Sequence, residues 1–362
     1  MPKPRRRRST VVFVLLTLSL ALGVLLLAPA PIDPAAYSPA TAPELVGPFA
    51  PNDALRSAEL LAVGQVEGPE DIDVDDQGRI YAACEDGRIV RVTRAADGSE
   101  QLETFADTGG RPLGLDFDDA GRLWVADAHH GLLSIDPDGT VDTHATEIDD
   151  LPFGFTDDLD VASDGRVYFS DASWRFGVGE YLYDLLEARP YGRLLRYNPS
   201  TGETELLLDQ LYFANGIALS QNEDFVLVNE TYRYRIRRYW LSGPKAGTND
   251  VFVDNLPGFP DGVSANGEGT FWVALFTVRN PLMDRLHPSP FAKGLVSKLP
   301  KALWPKPAPY GLVLALDEQG SAVRTLHDPG GEQVLQITSV EEVDGHLYLG
   351  NLTLDWVGRL AL

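Results

Sequence analysis

The chain has 362 residues, 44% of them apolar, with 34 glycines, 26 prolines and one cysteine. Its formal charge of −23, from 30 basic and 53 acidic residues, excludes a nucleic-acid partner, because so acidic a body repels phosphate. It suits cations or neutral substrates, although solubility alone would also account for the charge. The lone Cys84 rules out an intrachain disulfide and reads as an inert, buried thiol in a strand.

In chain order, the first element is a basic tail over residues 1–8, with Arg5 to Arg8 in a row. The uncharged stretch from Ser9 to Ile32 follows, and its core, Val11 to Leu27, is almost wholly aliphatic. At about 1.5 Å per residue such a run just crosses the hydrocarbon layer, which predicts one transmembrane helix over 9–29. The basic cluster predicts a cytoplasmic N-terminus and an extracytoplasmic body, so the lipid bilayer is an expected partner. The rival is a cleaved signal peptide ending at Ala28-Pro29-Ala30, but Pro31 would follow the cut and the apolar run is long for that role. Residues 30–55, rich in Pro and Ala, read as a linker.

From residue 56 to 362 the sequence repeats. The unit is an apolar strand, an Asp-x-x-Gly-Arg turn or a relative of it, and further strands. Ile72 to Tyr81, Leu115 to Trp124 and Leu159 to Tyr168 are its clearest copies. Later copies begin near Ile217, Val263 and Val340, at spacings of 43, 44, 58, 46 and 77 residues along the six. A period of about 40–50 residues is that of a four-stranded propeller blade, so the fold class is all-β, a six-bladed β-propeller. The strand near Glu59 to Val63 is expected to complete the last blade. The long spacings expose insertions at about 173–191 and 279–309. Both follow the second strand of a blade, so both lie on the face where all first strands begin, and that face is the expected working face.

The residue two before the first apolar residue of each inner strand is Glu70, Leu113, Asp157, Asn215, Asp261 and Thr338. Four of these carry carboxylate or amide oxygens, and all start close to the axis. Carboxylates converging on one point repel unless a cation lies between them. An oxygen-only set selects a hard ion such as Ca2+, with Glu70, Asp157, Asn215 and Asp261 as expected ligands. The competing reading is four ordinary turn residues, each common before a strand.

Gly68-Pro69-Glu70-Asp71-Ile72, Arg111-Pro112-Leu113-Gly114-Leu115, Phe213-Ala214-Asn215-Gly216-Ile217 and Pro257 to Gly262 resemble the strictosidine-synthase-like family. So does Gly192 to Tyr197. The likeness covers roughly 56–362 and is nearest to a membrane-anchored branch to which arylesterase activity is attributed. The wider superfamily includes gluconolactonases and paraoxonases, calcium-dependent hydrolases of lactones and esters. The resemblance implies the same four metal ligands, with Asp157 standing where relatives more often have Asn. Leu113 stands where paraoxonases have a catalytic His. The glutamate of true strictosidine synthases has no evident counterpart, and the paired cysteines of many relatives are missing.

The expected chemistry is hydrolysis of an apolar lactone or aryl ester, with Asp261 as base and Asp158 orienting the cage. His129 and His130 are candidate proton shuttles on the working face. No Gly-x-Ser-x-Gly elbow occurs, which argues against a serine hydrolase. The second insertion, with Leu282, Met283, Phe291, Trp304 and four lysines, reads as a lid or a segment lying on anionic lipid. The alternatives are a binding or scaffold propeller with a structural metal, or a strictosidine-synthase-type condensing enzyme. Asn229-Glu230-Thr231 and Asn351-Leu352-Thr353 are glycosylation sequons, meaningful only on a eukaryotic secretory route.

Overall fold

The repeat turns explain why the chain folds into hairpins. Asp75 accepts from the backbone N–H groups of Gln77 and Arg79 with one oxygen, while Gly78 takes the positive φ of +72° that closes the turn. Asp118 and Gly121 do the same in the next repeat. The inner strands so formed alternate apolar and acidic residues, as in Ile72–Val74, the second strands, such as Ile80–Ala83, are buried throughout, and they pair into antiparallel sheets.

The computed structural model describes Gly23 and residues 26–362. Six four-stranded antiparallel sheets are present among these residues. Blade 1 begins with Ile72–Val74, blade 2 with Pro112–Phe117, blade 3 with Thr156–Val161, blade 4 with Ala214–Leu219, blade 5 with Gly258–Ala265 and blade 6 with Ile337–Val343. The chain is thus a six-bladed propeller. Glu59–Leu61 pairs with Val357–Ala361, Leu61 opposite Val357, so the ring is closed by a strand from the other end of the chain. A two-stranded ribbon, Glu147–Ile148 with Leu151–Pro152, lies outside the blades.

Apolar clusters fill the space between neighbouring blades. Ile72, Ile80 and Val90 of blade 1 meet Tyr348 and Val357 of blade 6; Tyr81 and Ile89 meet Leu115, Leu123 and Val125 of blade 2. Each fully buried side chain of this kind contributes roughly 1.5–3 kcal/mol. Near the axis acidic side chains staple one inner strand to the next. Asp71 and Asp73 accept from the N–H groups of Leu115 and Phe117, Asp116 from Val161, and Asp158 and Asp160 from Ile217 and Leu219.

Three short helices lie on one face: α1 (Tyr181–Glu187) from the first insertion, α2 (Pro281–Leu286) and α3 (Pro290–Val296) from the second. Asn280 caps α2 by accepting from Leu282 and Met283, and Ser289 caps α3 by accepting from Ala292. No helix among the described residues is long and apolar enough to cross a membrane. The span expected over 9–29 lies, but for Gly23 and residues 26–29, outside the described residues.

Residues 30–55 do not hang free as a linker. Ile32 is buried among Phe176, Leu186, Met283 and Trp304, and the N–H groups of Ala35 and Tyr37 donate to Glu187 and His287 of the insertions. Arg279 donates to the carbonyl of Ala40, and Asn52 to that of Thr325. The segment's Pro and Ala content resembles a linker, but its backbone and side chains find partners that only the folded insertions and blades provide.

A candidate site at the axis

The inner strands are not regular. In five blades the pairing of the first strand with the second shifts register between Pro112 and Leu115, Thr156 and Leu159, Ala214 and Ile217, Pro260 and Val263, and Ile337 and Val340. Each break spans the aligned position: Leu113, Asp157, Asn215, Asp261 or Thr338. A bulge takes a residue out of the ladder and re-aims its side chain. Glycines beside the bulges let neighbouring blades approach: a Cβ on Gly262 would lie 2.6 Å from the carbonyl oxygen of Thr338, and one on Gly114 2.7 Å from Asp158.

All six aligned residues are buried, and Glu70, Asp157, Asn215 and Asp261 line one cavity of about 330 Å3. Burial pushes the carboxyls of Glu70 and Asp157 well above the usual range, and the charge of Asp261 adds to both shifts. Burial raises Asp261 to about 7, while the hydrogen bond from Asn215 pulls the other way. Oδ2 of Asp157 is buried without a partner. Thr338 donates to the carbonyl of Glu70 at 2.6 Å, and Thr231 to that of Pro260 at 2.7 Å, which fixes the strand starts on either side.

Above this polar floor the cavity is apolar. Its walls are Phe155, Phe213, Tyr232 and Phe259; Leu182 and Leu185 of α1, Met283 of α2 and Trp304 roof it. The ring of Phe213 stacks on Tyr232 at 4.5 Å. Both insertions therefore reach the face where the inner strands begin, as their position in the repeat predicts. The aromatic wall was not anticipated, yet it has a sequence signal: Phe155, Phe213 and Phe259 each stand two residues before an aligned position.

Asp158 lies elsewhere. It lines a second, polar cavity of about 110 Å3 along the axis with Asp71, Asp73, Asp116, Asp160 and Glu341, which Glu70, Asp157 and Asn215 also border. Its two oxygens accept from Leu159 and Ile217, each at 2.8 Å, so it acts as a staple between blades 3 and 4 rather than facing the apolar cavity. His129 and His130 are exposed and line neither cavity. Their N–H groups both donate to Oδ1 of Asp127, the geometry of a side-chain-closed turn, which is why sequence alone set them on the right face but not at the axis. The two sequons are also unavailable: Asn229 and Asn351 are fully buried and donate to the carbonyls of Asp261 and Trp356.

Among the described residues, no three His, Cys, Asp or Glu side chains stand close enough together to hold a metal ion as they are placed. The chemistry of the axial set nevertheless fits a hard cation: every donor is oxygen, the carboxyls raise one another's pKa, and one buried carboxylate oxygen is orphaned.

Family models of strictosidine synthase and of the strictosidine-synthase-like N-terminal region match residues 157–244 and 47–92. The adipocyte plasma membrane-associated protein of Mus musculus is 39% identical over 375 residues, covering 98% of this chain and 90% of that protein. The chain belongs to the strictosidine-synthase-like family. The matched regions include Glu70, Asp157 and Asn215. Two solved structures share the propeller. A gluconolactonase from Xanthomonas campestris has a TM-score of 0.60 at 18% identity, covering 92% of this chain and 96% of its own. Regucalcin from Agrobacterium tumefaciens, described as a calcium-binding protein, has a TM-score of 0.55 at 15% identity, covering 82% and 89%. At these identities they establish the fold of this family member and nothing finer.

Proposed function

We propose that this strictosidine-synthase-like chain is a divalent-cation-dependent hydrolase of apolar lactones or aryl esters. The observation that carries the reading is one cavity with an aromatic upper part and a floor of three buried carboxyls and an amide. Glu70, Asp157, Asn215 and Asp261 would hold the ion, with Ca2+ the expected one, in keeping with the regucalcin likeness. When bound, the ion would polarise the substrate carbonyl and offset the negative charge that develops on its oxygen.

The side chains have separate tasks. Phe155, Phe213, Phe259 and Trp304 take the apolar part of the substrate and keep water from the floor. Asp261, buried at the floor, is the carboxylate that would take a proton from an attacking water. Asn215 holds that carboxylate in place.

Membrane tethering belongs to the same reading. The relatives are named plasma membrane-associated proteins, and the apolar run over 9–29 supplies a single-pass anchor with the propeller on the extracytoplasmic side. Leu282, Phe291 and Leu303 of the second insertion are 52%, 67% and 68% exposed and stand beside Lys301 and Lys306, a composition that suits an anionic lipid surface. An apolar substrate drawn from that surface would meet the roofed cavity directly.

The experiment is hydrolysis of phenyl acetate and a panel of lactones by the full chain, with and without a chelator. Turnover abolished by chelator and by Asp261→Asn supports the hydrolase. A second reading is a binding propeller whose ion, held by the same four oxygen-bearing side chains, is structural. A folded, cation-loaded and inert protein would establish it.

A further inference from the structure

The residues two before each aligned position form a second tier around the cavity. In blades 3, 4 and 5 that tier is Phe155, Phe213 and Phe259; in blade 2 it is Arg111. A charged side chain therefore stands where the other walls are aromatic. It is 4% exposed, and Nη1 donates to the carbonyl of Gly68 at 3.0 Å. Nη2 is buried and has no partner.

The other buried arginines are satisfied. Arg193 pairs with Asp171, and Arg279 with Asp284. Arg233 donates to the carbonyls of Tyr232 and Ala188 and packs over the rings of Tyr37 and Tyr212. Among the described residues no carboxylate makes an ion pair with Arg111. It is close enough to Glu70 and Asp157 to hold both pKa values down against their burial, yet it touches neither. An unpaired guanidinium in a dry site is unfavourable unless a further acceptor arrives.

We propose that Arg111 receives the acyl oxygen of the ligand, so that the cavity takes apolar compounds headed by a carbonyl or carboxylate group. This deepens the hydrolase reading by fixing which end of the substrate meets the floor and by making the acid product a ligand. The charge balance supports it. On the floor itself three carboxylates and one guanidinium leave −2, which a divalent cation would bring to zero, and Lys301 and Lys306 line the same cavity, so a negative oxygen would not be opposed. Without Arg111 the loaded floor would carry −1 and repel it. With Nη1 committed to Gly68, Nη2 is the free donor, and the aromatic wall takes the tail.

The test is calorimetric titration of the full, calcium-loaded chain with 4-phenylbutyrate and with 4-phenylbutanol, which share a tail and differ in the head. The acid is expected to bind at least about tenfold tighter than the alcohol, the size of one charged hydrogen bond. Arg111→Gln should abolish that preference, the loss falling mainly on the acid, and Arg111→Lys should restore part of it. Calcium affinity, measured alongside, reports whether the Gly68–Glu70 entry has stayed in place. Equal binding of acid and alcohol by the unaltered chain overturns the proposal and needs no variant to fold. An Arg111→Gln chain that keeps the acid preference overturns it too. Binding and turnover separate the two readings. Acid preference without any hydrolysis sinks the hydrolase and keeps Arg111, while hydrolysis indifferent to Arg111→Gln does the reverse.

Discussion

The side-chain amide of Asn215 donates a 2.6 Å hydrogen bond to Oδ1 of Asp261, joining blade 4 to blade 5 at the axis. The bond leaves Asp261 in one orientation beneath the aromatic cavity. It also draws the carboxyl pKa down against a burial effect that would carry it higher still.

Asp261→Asn keeps the shape and removes both the proton acceptor and one negative charge. Turnover of phenyl acetate should fall by about 100-fold or more, the usual worth of a positioned general base. With calcium kept saturating, the fall should lie in kcat rather than KM, because the walls that bind the tail are untouched. A variant within threefold of the parent would remove Asp261 from the chemistry.

Cation binding should depend on charge at three separate blades. Glu70→Gln and Asp157→Asn are each expected to weaken calcium binding by at least about tenfold, since each removes one carboxylate from an oxygen-only set. Thermal unfolding with rising calcium reads this out, as the Tm gain from ligand follows RT ln(1 + [L]/Kd). An unaltered chain whose Tm ignores calcium, magnesium and manganese alike would leave the acidic floor without a metal role.

The polar channel below predicts how stability follows pH. Burial raises Asp73 to about 7 and Asp160 to about 6; burial and the neighbouring carboxylates lift Asp116 and Glu341 well above their usual range. An acid whose pKa is higher folded than unfolded stabilises the fold fully below the unfolded value. That contribution is lost as pH rises through the folded one. Half-buried His144 and buried His287 and His327 have lowered pKa values and act in the opposite sense, but only at and below the ordinary histidine pKa. Between about pH 6.5 and pH 7.5, above the ordinary histidine range and through the folded value of Asp73, the carboxyls dominate and Tm in chelator should fall. A flat or rising Tm over that range would contradict the assignment.

The strap over residues 30–55 should stiffen the roof. Tyr37 lies under the Arg233 guanidinium, 3.9 Å from its ring centre, and meets His287 edge-on at 5.2 Å. Tyr37→Ala removes both contacts, worth about 2–3 kcal/mol locally. Faster amide exchange over residues 281–296, with the blade 1 strands unchanged, is the expected readout. Unchanged exchange over 281–296 would make the strap a passenger.

Six blades, the closing strand and the working face were legible because the Asp-x-x-Gly-Arg turns recur in register with apolar strands, and turn chemistry is local. The axial residues were legible for the same reason, since a fixed offset from each inner strand selects Glu70, Asp157, Asn215 and Asp261. The fate of their neighbours was not. Asp157 and Asp158 are adjacent and chemically alike, yet across the bulge between Thr156 and Leu159 one reaches the apolar cavity as well as the polar one, while the other is confined to the polar cavity as a backbone staple.

The same divide runs through the rest of the molecule. Sequence by itself determined the repeat, the acidity, the apolar N-terminal run and the offset that brings four oxygen-bearing side chains to the axis, because each is a matter of composition or period. Only the tertiary structure decided that His129 and His130 stand apart, that residues 30–55 are docked, that the sequon asparagines are buried, and that Arg111 shares a cavity with Glu70. Those outcomes depend on contacts between residues far apart in the chain, and no local pattern encodes which distant partner satisfies a buried polar group.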